Sequence, residues 1–489
     1  MTTPVLKFGW AEVDITPTRP VPLAGSFEAR ISEGVRDPIS TTAWAVESEP
    51  DHAVFVSCDL VAISDELRDA VRARLAGRLT GLDPMKVILH ATHTHTAPES
   101  RPPSTLSSGS SAGVDLREIH ADVMSAEEYV AFASERVADA VSLAWTSRSA
   151  GGIGYGMGYA VVGRNRRWVD TQGVGTMHGL NETTADRFRH IEGYEDHSLN
   201  IIATYDADNR LTGLIVNLAS TAQVPGESHP YLIGADVWYE ARRELRSRFG
   251  DALFILPQCS AAGDQTGHIQ FDKQAESRML RLKEWDKRQD VAHSITNAIE
   301  DILPAIGRDV ATCIRLQHLV GTVNLTANRL TMEEVQDAER EAREWESKYE
   351  QEKERLAQQP ELRQHPRWYK QLTLAYRRML WYRNVINRFE RQKQHPTLPA
   401  EVHVLRLGDM AVASVPYEYY LDYGIQIRLR SPATQTFLVQ LAGSGTYVPS
   451  PRSLQAGGYG STPASNPIGA DGGQELADHI VGAIKSLWA

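Results

Sequence analysis

Short apolar runs punctuated by turn residues recur along most of the chain, at 54–60, 87–89, 199–205, 214–219, 252–256, 401–407, 410–418 and 436–441. Runs of this length, rich in Val, Ile and Leu, predict buried strands. Residues 65–79 and 126–145 instead carry apolar positions at helical spacing, the second through Tyr129, Phe132, Ala133, Val137, Ala140 and Val141. The order strand, helix, strand over 54–89 predicts a parallel pair with its crossover helix, and hence an α/β fold: a mixed β-sheet core flanked by helices. The glycine-rich stretch 151–158 precedes no capped helix, so it reads as strand and turn and not as a phosphate cradle.

The pattern changes sharply at 331–395, where Glu, Arg, Lys and Gln dominate. Helical stretches at 332–358 and 366–394 are separated by Gln359-Pro360 and His365-Pro366, which predicts a long helical hairpin inserted at 331–396 into an α/β domain formed by 1–330 and 397–489. The second stretch carries Trp368, Tyr369, Tyr376, Trp381, Tyr382 and Phe389. That face suits a solvated arm, a homo-oligomer contact or a lid.

Composition narrows the function classes. A formal charge of -11 without a basic cluster excludes nucleic acid as the expected partner, since phosphate binding needs Lys and Arg gathered on one face. The three cysteines, Cys58, Cys259 and Cys313, are widely spaced and read as reduced thiols. No leader-like segment opens the chain and no run is long enough to span a bilayer, so the expectation is a cytoplasmic protein with a small-molecule substrate and no stable membrane insertion.

Candidate chemistry centres on 87–99, where an apolar run leads into His90-Ala91-Thr92-His93-Thr94-His95 and then Pro98. In an extended chain residues two apart share a side, so His93 and His95 are expected to project together from the strand end. Paired imidazoles there suit a metal ligand beside a group that binds, polarises or shuttles a proton; two satisfied structural histidines are the bland alternative. Asp59 and Glu418 likewise end apolar strands, and Arg166 lies in an arginine-rich turn. The loop after 214–219 holds Glu227 and His229, and the small-residue turn after 252–256 holds Asp264 and Thr266. Asp264 is a candidate to fix a histidine tautomer.

In order along the chain, Gly9 with Asp14-Ile15-Thr16-Pro17, Thr92-His93-Thr94-His95-Thr96-Ala97-Pro98, Asn165-Arg166, Gly263-Asp264-Gln265-Thr266, Pro416-Tyr417-Glu418, and Tyr447 followed by Tyr459 resemble the neutral ceramidase family of zinc amidases. The resemblance breaks only at the helical insertion. It implies Zn2+ as cofactor, with His93, Glu418 and Tyr447 as ligands, and makes His95 and Tyr459 the groups that polarise the scissile carbonyl or stabilise the oxyanion, with Arg166 nearby in the catalytic group. It also implies a second zinc histidine just after 214–219, where this chain reads Ala219-Ser220-Thr221-Ala222-Gln223. The next histidine is His229, which becomes the candidate fourth ligand; a site of three side chains, or a lost or changed metal, are the alternatives.

The expected function is therefore a zinc-dependent hydrolase cleaving an amide bond of a soluble small molecule by metal-activated water. Asp264 is counted with the catalytic group, and Thr266 and Glu227 with substrate binding. A metal-dependent hydrolase of a sugar-derived or ester substrate, positioned by Arg166, Glu227 and Asp264, is the alternative enzyme. A non-catalytic binding or assembly protein acting through the hairpin is the other.

Overall fold

The computed structural model describes residues 5–101, 113–224 and 229–489. Three sheets carry the fold. In the first, Val87–Ala91, Asp51–Cys58, Ser40–Ser48, Lys7–Asp14 and Ser149–Ala150 lie side by side in that order. Asp51–Cys58 and Val87–Ala91 are parallel, with Val56 opposite Leu89, and the helix Asp65–Leu75 makes the crossover. That helix begins at Ser64, whose side chain caps the Leu67 amide, and stops short of 79 because the chain turns at Gly77, φ +71°. Its apolar stripe and that of Ala126–Thr146 cover one sheet face.

The second sheet runs Phe254–Cys259, Leu211–Leu218, Ser198–Tyr205, Gly152–Tyr159, and the third Leu316–Thr326, Thr397–Leu407, Met410–Ser414, Gln435–Val439. The glycine-rich stretch is thus a strand. One core joins the three sheets: Trp44 and Phe55 from the first, Ile215 and Leu256 from the second, Val412 and Phe437 from the third, all essentially inaccessible. Each such side chain contributes about 1.5–3 kcal/mol on burial.

Each sheet contains a parallel pair, and the segments leaving those pairs' C-terminal ends bond to one another. Ala222 N–H donates to Thr92 O (3.0 Å), Ser260 N–H to Leu218 O (2.9 Å), Gln440 N–H to Cys259 O (2.9 Å) and Ala91 N–H to Leu441 O (3.2 Å). His93, Glu418 and Tyr447 lie on segments that continue from these exits.

Between the strands Leu316–Thr326 and Thr397–Leu407 the chain forms helices at Met332–Gln358 and Lys370–Arg391. The first starts in a capping box between Thr331 and Glu334; the second starts later than 366 because Arg367 holds φ +61° after Pro366. They run antiparallel, with Arg383 on Glu346 (2.7 Å) and Tyr349 against Tyr376 (5.2 Å between rings). The second helix rests on residues 24–31, where Thr373 Oγ1 accepts from the Ala29 amide at 3.0 Å. Cys58 and Cys259 are buried and Cys313 is exposed, all as free thiols. No helix among the described residues is long and apolar enough to cross a membrane.

Candidate active site

The strand Val87–Ala91 stops before the first site histidine. His93 has φ 68°, a left-handed conformation costly for a side chain other than glycine, so strand alternation is not what brings His93 and His95 together. Instead the His93 amide donates to Leu60 O (2.9 Å) and the Thr94 hydroxyl to Gly234 O (2.8 Å), and these anchors fold the segment so that the two rings face each other 4.8 Å apart at 74°.

The proton position on His93 follows from its neighbour. His93 Nδ1 lies 2.7 Å from the Val61 carbonyl, which can only accept, so Nδ1 carries the hydrogen and Nε2 presents a lone pair. On the other side, Arg166 Nη1 donates to Gln223 Oε1 (3.4 Å), which turns Gln223 Nε2 toward His95 Nδ1 (3.4 Å). The Gly25 backbone also lies against His95 Nδ1, and His95 Nε2 is 3.3 Å from His93 Nε2. Burial holds both imidazoles below their usual range, so both are neutral at pH 7.

Glu418 and Tyr447 arrive together because they are register partners in a short parallel pairing of Glu418–Tyr419 with Tyr447–Val448. Glu418 Oε2 is 3.5 Å from His93 Nε2 and 3.5 Å from Arg166 Nη2, and it is buried without a hydrogen-bond partner. Arg166, 1% exposed, donates through Nη2 to Gly263 O (2.8 Å) and to the Tyr447 hydroxyl (3.2 Å). Burial opposes its charge, but Tyr447 and Glu418 outweigh that and hold its pKa above the ordinary arginine value. Burial keeps the Tyr447 phenol protonated well beyond pH 10. Tyr459, 37% exposed, stands at the mouth with its ring 5.5 Å from Tyr447 and 5.9 Å from Trp381 of the hairpin.

A divalent cation fits part of this donor set. A lone pair on His93 and a carboxylate oxygen on Glu418 face each other at 3.5 Å with no hydrogen between them, Arg166 balances the carboxylate from its other side at 3.5 Å, and the Tyr447 oxygen is beside them, so a cation placed there would meet three donors. No cluster of three or more His, Cys, Asp or Glu suited to a metal occurs among the described residues, so any such site depends on the tyrosine.

The remaining candidates lie elsewhere. His229 is exposed and shares no hydrogen bond or ion pair with the cleft, because the chain beyond it is drawn to Gly34–Val35 by the strand Leu232–Ile233. Glu227 and residues 102–112 fall outside the described residues. Asp264 touches no histidine: it accepts from Asn165 Nδ2 (2.9 Å) and the Leu421 amide (3.0 Å), bolting the Arg166 strand to the segment after Glu418. Burial raises its pKa to about 6. The tautomer of His93 is set by the Val61 carbonyl instead. Thr266 is fully buried, its hydroxyl toward the His268 amide, and does not reach the cleft. Asp59 is taken up by a two-bond ion pair with Arg242.

Sequence reasoning missed Gln223, which occupies the stretch where the resemblance calls for a histidine. It also missed the role of Gly25: a Cβ there would lie 2.5 Å from His95 Nδ1, and φ is +86°. Glycine lets residues 24–26 close over the ring.

No family model and no curated protein sequence matches the chain. Among solved structures it is similar to the neutral ceramidase from Pseudomonas aeruginosa, at 16% identity and a TM-score of 0.64, with 99% of this chain and 75% of that one covered. It is also similar to a ceramidase complexed with C2, at 15% identity and a TM-score of 0.68 with the same coverage. The chain adopts the fold of the neutral ceramidases.

Proposed function

We propose that the protein is a hydrolase that cleaves an amide bond of a small molecule, with a divalent cation, zinc by its donor set, held by His93, Glu418 and Tyr447. The observation that carries the reading is the buried Glu418 Oε2, which accepts no hydrogen bond among the described residues, facing the lone pair of His93 Nε2 at 3.5 Å. When bound, the cation supplies Lewis acidity and a water acidic enough to attack at neutral pH.

The chain's own groups do the rest. Neutral His95, its Nε2 3.3 Å from His93 Nε2, stands where it can polarise the carbonyl oxygen as that oxygen gains charge, and Tyr459 donates from the cleft mouth. Arg166 adds a fixed positive charge that needs no rearrangement during reaction, because Gly263 and Tyr447 already hold it. Water adds to the carbonyl carbon, the C–N bond breaks, and the leaving nitrogen takes up a proton, giving a carboxylate and an amine.

Elemental analysis of the purified chain beside His93→Ala tests this. The expectation is about one zinc per chain in the parent and a loss of that metal in the variant. Amine release from a panel of simple amides should follow the metal. A parent that takes up no tight metal when zinc is supplied, and releases no amine, overturns the reading.

A further inference from the structure

Most arginines along the hairpin are paired on its surface, as Arg340 is with Asp337, Arg355 with Glu352 and Arg383 with Glu346. Arg378 is different. Its guanidinium lies 3.8 Å from the centre of the Phe27 ring and 5.3 Å from that of Trp381, its Nε is buried without a hydrogen-bond partner, and among the described residues no carboxylate comes within ion-pair distance. The neighbouring Arg377 differs again, since it donates to the Ser26 and Glu28 carbonyls (3.1 and 3.3 Å) and pins the helix to the cleft rim.

Arg378 lines a cavity of about 500 Å³ together with Arg166, His95, Tyr459 and Trp381. That cavity opens past His95 and Tyr459 into a smaller one of about 160 Å³ containing His93 and Glu418. Around the two, among the described residues, four guanidinium groups, on Arg101, Arg166, Arg377 and Arg378, face two carboxylates. Glu99 is closed on Arg101 in a two-bond pair (2.7 and 2.8 Å), and Glu418 faces the centre of the site. The cleft thus carries a surplus of positive charge, and its outermost arginine is backed by ring faces and has open donors. A guanidinium in that setting suits a planar anion gripped by two parallel hydrogen bonds.

We infer that the cleft takes amides carrying an anionic group, carboxylate or phosphate, on the side remote from the scissile carbonyl, and that Arg378 is the specificity-determining residue that receives it. The inference rests on the hydrolase reading for the amide; the anion preference stands on the arginine geometry alone.

The test is calorimetric binding to the full, zinc-supplied chain of three probes sharing one acyl group: N-benzoylglycine, the uncharged N-benzoylglycinamide and phosphoryl N-benzoylethanolamine. At least one anion should bind about 10- to 100-fold more tightly than the neutral amide. The tighter anion names the group. Arg378→Gln should bring the ratio close to one, and Arg378→Lys should restore part of it. Equal binding of charged and uncharged probes by the parent overturns the inference whether or not the variants fold, as does a preference undiminished in Arg378→Gln. Because the assay reads binding, a chain that selects the anions yet releases no amine sinks the hydrolase reading and leaves the anion site standing.

Discussion

Replacing Glu418 by Gln separates two jobs that the carboxylate is read to do. The amide has nearly the same shape but no charge. Among the described residues Glu418 is the only carboxylate within ion-pair reach of Arg166, which is 1% exposed and 3.5 Å away. Coulomb's law for unit charges at 3.5 Å gives ~5 kcal/mol at an effective dielectric of about 20. Mutational experience with one-sided removal from buried pairs gives about 3–5 kcal/mol. Chelator-treated Glu418→Gln should therefore be less stable than the chelator-treated parent by about 3–5 kcal/mol in urea melts. Supplying zinc should widen the gap, because a ligand that binds only the native parent stabilises it further by mass action. Urea melts with and without zinc, beside elemental analysis, read both effects. A variant as stable as the parent without metal would refute the electrostatic argument, and one that keeps its zinc would remove Glu418 from the ligand set.

Two further outcomes follow from the same geometry. Gly25→Ala should lose about 1–2 kcal/mol of stability for its left-handed backbone. Its methyl, built 2.5 Å from His95 Nδ1, should also displace that ring and lower kcat on a working amide by about 100-fold; a folded variant with parental kcat speaks against a positioned His95. The second outcome concerns acid. His90 is fully buried, neither ring nitrogen has a hydrogen-bond partner among the described residues, and burial lowers its pKa to about 3 from an ordinary 6.5. A depressed histidine pKa means the unfolded chain binds the proton more readily, so stability is full above about pH 6.5 and falls as the pH drops toward 3. Between pH 8 and pH 5 the parent should lose about 2 kcal/mol more than His90→Leu in urea melts, and parallel losses in the two would show that His90 does not carry this term.

Periodicity and turn chemistry by themselves determined the local elements. The apolar runs at 54–60 and 87–89 are neighbouring strands of the first sheet, and the change to Glu, Arg, Lys and Gln after 331 marked the start of the hairpin helix. Glu418 and Tyr447 were legible as polar groups ending or following apolar strands. Their adjacency was not, since it comes from a pairing between segments almost thirty residues apart. His93 and His95 were legible as a pair but for the wrong reason, because strand alternation ends at Ala91 and distant backbone anchors orient the rings.

Only the tertiary structure separated Arg166 from Arg167. Both sit in one arginine-rich turn, yet Arg166 joins Tyr447 and Glu418 while Arg167 is consumed by Glu192. It likewise moved Asp264 from the histidines to a brace between segments and left His229 on the surface. It put Gln223 on His95 and set Trp381 and Arg378 of the hairpin over the cleft. The physical reason is common to all of these. A residue's chemistry is local, but which charge or lone pair it meets is set by the chain segments folded against it, and burial makes those encounters decisive.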